Sequence, residues 1–111
     1  MFTELQIGNE TYKLRLTTRS LVELEKSLGY NPLQMFMQID SDVLPKVTDI
    51  VALLHASMQA LQHGISIDKT YDLLDEYLAD HTLWDIIPVV MDVFKECGFI
   101  ERDAEVEAPK K

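Results

Sequence analysis

The chain has 111 residues, 47% of them hydrophobic, and its 19 acidic against 10 basic residues give a formal charge of −9. That is one domain's worth of sequence, able to bury a core without metals or disulfides, and its acidity repels phosphate backbones and anionic membranes. From Ser66 onward 12 acidic residues face 5 basic ones, so nucleic acid is not expected as a partner unless the protein imitates it.

No stretch approaches the roughly 18 apolar residues a membrane span needs. Cys97 is the only cysteine, which rules out an intrachain disulfide and fits a reducing compartment. Residues 1–4 have neither a basic region nor a long apolar run, so no signal peptide is expected.

The first segment reads as a β-hairpin. Phe2, Leu5 and Ile7 lie in one arm, and Tyr12, Leu14 and Leu16 alternate with Lys13, Arg15 and Thr17 in the other. Gly8-Asn9-Glu10 supplies the turn. A lone hairpin is marginal in water, so it must lie on helices or pair with another strand. Thr17 or Thr18 then caps a first helix with the stripe Leu21, Leu24 and Leu28; Ser20 and Glu23, at capping-box spacing, offer an alternative start, and Gly29 is the stop. Asn31-Pro32 opens a second, short helix, because Asn caps well and Pro suits the first helical position. It holds Leu33, Met35, Phe36, Met37 and Ile39, too many apolar residues for one face.

Asp40-Ser41-Asp42 breaks the chain, and Pro45 is expected in the first turn of a third helix. Val47, Val51, Leu54, Met58 and Leu61 form its stripe, widened by Leu44, Ile50 and Leu53, with His63-Gly64 as its stop. This is the most apolar helix and the expected centre of the domain. Ser66 caps a fourth helix, with Ile67, Tyr71, Leu74 and Leu78 inward, flanked by Leu73 and Tyr77, and with Asp68, Asp72, Asp75, Glu76 and Asp80 outward. Thr82 or Asp85 begins a fifth, with Ile87, Val90, Phe94 and Cys97 inward and Gly98-Phe99 as a helix-ending pair. Pro88 either falls in its first turn or kinks it; the sequence leaves both open. The fold class is therefore α+β, mostly α: an N-terminal hairpin followed by a bundle of about five helices, one domain over residues 1–100. Residues 101–111 read as a disordered acidic tail ending in Lys110-Lys111.

No catalytic or metal-binding constellation is expected, and no cofactor. Cys97 sits on an apolar stripe with no basic cluster nearby in sequence, which makes it a small core residue rather than a nucleophile. His55 and His63 are eight residues apart, too far along one helix to share an ion, and His81 at a helix end is explained by the dipole there. The acidic array lacks the alternation around a central Gly that a calcium loop requires. It is a solvated face or, through Asp72, Asp75 and Glu76, a docking surface for a basic partner. The second helix is core, or its Leu33, Met35, Phe36, Met37 and Ile39 are covered by a partner protein, a use that suits adaptable thioether side chains.

The strand Tyr12-Lys13-Leu14-Arg15-Leu16 runs into Thr17-Thr18-Arg19-Ser20-Leu21-Val22-Glu23-Leu24-Glu25, and that helix ends at Leu28-Gly29. This order resembles the tail assembly chaperones of long-tailed bacteriophages, prophages and gene-transfer particles, in which a hairpin precedes a helix with a Leu-Glu…Leu-Gly pattern and further amphipathic helices follow. The resemblance spans Phe2 to Phe99. It implies a non-catalytic chaperone that coats the tape-measure protein, recruits tail-tube subunits and self-associates. Such a protein works in the cytoplasm of the bacterial host and is absent from the mature virion. It also implies two product lengths made by a ribosomal slip, for which the codons of Lys110-Lys111 are the expected place. A structural tail component and an unrelated acidic adaptor or inhibitor, including a DNA mimic, are the alternative readings.

Overall fold

The computed structural model describes residues 2–102. It contains an antiparallel hairpin, β1 (Thr3–Ile7) and β2 (Glu10–Leu14), followed by five helices: α1 (Thr18–Leu28), α2 (Leu33–Asp40), α3 (Val47–Met58), α4 (Ile67–Leu78) and α5 (Leu83–Glu96). The expected α+β class and element count are both present. The tail expected from residue 101 onward, with its Lys110-Lys111 end, lies outside the described residues from 103.

The hairpin turn is one residue shorter than expected. Glu10 pairs with Ile7, leaving Gly8-Asn9 as a two-residue loop in which Gly8 takes φ 62°, the conformation a tight hairpin asks of its first central residue. Leu5, Ile7, Leu14 and Leu16 are buried against the helices, and this packing holds a sheet that two strands alone cannot.

The helix termini follow the local chemistry. Thr17 caps α1 by accepting from the Ser20 N–H, and Gly29 closes it in the left-handed region at φ 79°. Asn31 Oδ1 accepts from the Leu33 N–H at 3.0 Å, with Pro32 between them as the capping residue rather than the first helical one. At the end of α2 the Val43 N–H reaches the Gln38 carbonyl and the Asp42 N–H the Ile39 carbonyl. This two-bond closure takes a left-handed residue, here Asp42 at φ 61°. The same closure ends α5, where Phe99 donates to Phe94 and Gly98 to Lys95, while the Phe94 and Phe99 rings meet at 5.4 Å. Thr82 and Asp85 form a reciprocal capping box at the start of α5, and Pro88 lies inside that helix beyond the first turn. There it cannot give the Trp84 carbonyl its usual N–H.

Four expectations for α3 and α4 are corrected. Pro45 precedes α3 instead of lying in its first turn, and α3 ends at Met58 rather than at His63-Gly64. Val47 and Leu61, expected on its core stripe, are exposed. On α4 the buried residues are Thr70, Leu73, Leu74 and Tyr77, whereas Ile67 and Tyr71 are 41% and 50% exposed. The Thr70 hydroxyl bonds the Ser66 carbonyl at 2.9 Å, so its polar atom is satisfied within the helix. Its methyl then faces the core, and the buried stripe shifts round by one residue.

Candidate protein-docking surface

α3 lies at the centre, with both α1 and α4 packed on it. Between its two neighbours α3 presents Ala52 and Ala56, whose short side chains leave space that the neighbours do not fill. A groove of about 470 Å³ results, floored by Val51, Ala52, His55 and Ala56 of α3, walled by Arg19, Ser20, Glu23 and Ser27 of α1 and by Ile67 and Tyr71 of α4. Gln59 closes one end: its amide donates to the carbonyls of His55 at 2.8 Å and Ile65 at 2.9 Å. The groove therefore pairs a mostly apolar floor, interrupted by His55, with one apolar wall and one polar wall. Such a surface takes apolar side chains of a ligand and fixes its orientation at the edges.

The comparisons with known proteins bear on this whole unit. Residues 2–110 match the model of a family of unknown function, DUF6096. The chain belongs to that family. The match takes in the hairpin, all five helices and every residue lining the groove. No curated protein and no solved structure matches the chain.

In this DUF6096 member the apolar residues singled out on α2 separate into two sets. Met35 and Ile39, one turn apart, are fully buried and so removed from any partner. Leu33 and Met37 are exposed, Met37 to 59%, and Phe36 is half-buried against the core. Met37 opens on a shallow surface with Gln34, Gln38, Ser41 and Val43, apart from the groove. The acidic set stays exposed: Asp72, Asp75 and Glu76 all face solvent on α4, and Glu76 also reaches the hairpin turn. A Cβ at Gly8 would collide with its Oε2.

Cys97 and His81 have local partners. Cys97 is half-buried, its Sγ donates to the Phe94 carbonyl at 3.3 Å, and burial pushes its thiol pKa up, away from the reactive thiolate. His81 stacks on Tyr77 with centroids 4.3 Å apart and lies 3.2 Å from the Tyr77 carbonyl at the end of α4. His63 falls beyond the end of α3, so it does not share a helix with His55. Among the described residues no group of three His, Cys, Asp or Glu could hold a metal ion, and no helix is long and apolar enough to cross a membrane.

The sequence reading missed the groove. Its only trace there is a second three- and four-residue series on α3, Thr48, Ala52, His55, Ala56 and Gln59, made of small or polar residues beside the large apolar stripe.

Proposed function

We propose that this protein is a non-catalytic chaperone of phage tail assembly, coating the tape-measure protein and recruiting tail-tube subunits in the bacterial cytoplasm. It leaves before the virion is complete. The observation that carries the reading is the open groove over α3, a preformed apolar seat on an otherwise acidic protein. Two features support it further. The hairpin leads into α1, whose Leu24-Glu25 and Leu28-Gly29 follow the pattern of those chaperones, with Gly29 as the left-handed cap. The net charge of −9 keeps a protein that holds apolar clients soluble through self-repulsion.

Co-expression with the products of the neighbouring genes tests the proposal. A tail-tube subunit and a fragment of a very long, helix-rich protein should each be tried, with light scattering to size the products. The reading predicts that the long fragment is soluble only in complex with this chain. A fragment that aggregates equally with and without it, and a chain that elutes alone, would overturn the proposal.

A further inference from the structure

The two rims of the groove are unlike in charge. On α4, Asp75 stands one turn beyond Tyr71 in the row that begins at Ile67, and Asp68 and Asp72 follow Ile67 and Tyr71 by one residue, about 100° further round. Asp75 thus stands at the edge of the apolar wall, with Asp68 and Asp72 behind it on the solvent side of α4. The single base of α4, Lys69, falls on the side away from the groove, and no ion pair among the described residues engages the three. The α1 rim is mixed, with Arg19 beside Glu23, which lies 4.0 Å from Lys26. A ligand seated here meets unbalanced negative charge along the α4 edge, whereas Arg19 offsets Glu23 along α1.

The floor sets the ligand's backbone form. From Thr48 to Gln59 it runs about three helical turns, roughly 16 Å at 1.5 Å per residue. It offers helix side chains, with no open strand edge. An extended peptide would bury amide groups against a surface that cannot bond them, whereas a helix satisfies its own. Ala52 and Ala56 let a second helix approach closely.

We infer that the groove binds an amphipathic α-helix of another protein, about three turns long, apolar toward α3 and carrying Lys or Arg along the flank beside α4. This rests on the protein-binding reading above and names the client's chemistry. A second copy of the chain meets the requirement poorly: α2, which exposes Leu33 and Met37, carries Asp40 and no base.

Two synthetic helical peptides of roughly 16 residues test it, identical on the apolar face but with Lys or Glu along one flank, titrated against the full chain by fluorescence anisotropy. The Lys peptide should bind at least about tenfold tighter, and the preference should shrink at about 0.5 M salt as exposed charges are screened. Asp72→Asn with Asp75→Asn should remove most of the preference. Ala52→Trp should block both peptides. Tyr71→Ser, at an exposed site that leaves the core intact, should weaken both, with far-UV CD confirming the fold of each variant. Equal binding of the two peptides, or binding indifferent to Tyr71→Ser and to a folded Ala52→Trp, would overturn the inference. So would a chain that dimerises through the groove and binds neither peptide. A co-expressed tape-measure complex that survives both groove variants would sink this inference and leave the chaperone proposal standing. Lys-peptide binding with no tail protein captured would do the reverse.

Discussion

The side-chain amide of Gln62 grips both backbone groups of Lys13. The Lys13 N–H donates to Gln62 Oε1 at 2.7 Å, and Gln62 Nε2 donates to the Lys13 carbonyl at 2.8 Å. One residue pair on, the Arg15 N–H donates to the Ser57 carbonyl at 2.8 Å. The outer edge of β2 is thus occupied by the end of α3 and the turn that follows it, which fastens the hairpin to the central helix and removes an edge that would otherwise invite other strands. Gln62→Ala should lower stability by about 1 kcal/mol, the usual net worth of such bonds, read as a lower urea midpoint at unchanged slope. An unchanged midpoint would show that water replaces the amide without loss.

Tyr30 ties the start of α3 to the loop after α1. Its hydroxyl donates to Asp49 Oδ2, and Asp49 is buried. Tyr30→Phe leaves that carboxylate short of a donor and should cost about 1–3 kcal/mol. The same contact makes an alkaline prediction. Burial, then the bond to Asp49, raises the Tyr30 pKa to about 12 from 10.0. Between those two values the folded chain holds a proton that the unfolded chain has released. Stability from this group is therefore complete below pH 10 and is lost as the pH rises through 12. Tyr30→Phe should lack this component of the alkaline transition; identical high-pH profiles for the two proteins would refute it.

On α2 the split between buried and exposed residues is directly testable. Met35→Ala should cost about 2–5 kcal/mol as a core truncation, and Met35→Asp should unfold the domain by burying an unpaired charge. Met37→Asp should leave the far-UV CD spectrum and melting temperature nearly unchanged. If Met35→Asp stays folded, the packing of α2 described above is wrong.

Pro88 sits on the exposed side of α5, past the turn where its missing N–H costs nothing. Pro88→Ala restores a donor for the Trp84 carbonyl and should raise stability by about 1–3 kcal/mol. A lower melting temperature would show that the rigid ring serves the packing of α5.

These contrasts show which parts of the structure a sequence of this kind reveals. α1 and α5 were legible because both their ends carry chemical signals, Thr17 and Gly29 for one, Thr82 with Asp85 and Gly98 with Phe99 for the other. The interior of α2 was not. Eight residues with five apolar side chains fit several faces, and only the approach of the core selects Met35 and Ile39. On α4, Thr70 counts as polar in a pattern but is satisfied by its own helix turn, so the stripe was placed one residue off. The groove was illegible because it belongs to no single segment. It exists because α1 and α4 flank α3 and the small residues between them leave the space open. Sequence periodicity reports what a helix buries far better than what its neighbours fail to cover.

Hydrogen exchange on the chain, free and in complex with a co-expressed tail protein, tests the central claim most directly. If the groove is the docking surface, complex formation should slow exchange along α3 from Thr48 to Gln59 and in the facing turns of α1 and α4 around Glu23 and Tyr71. Amides of α2 should be unaffected. Protection confined to Leu33–Asp40, with α1, α3 and α4 unchanged, would contradict the account.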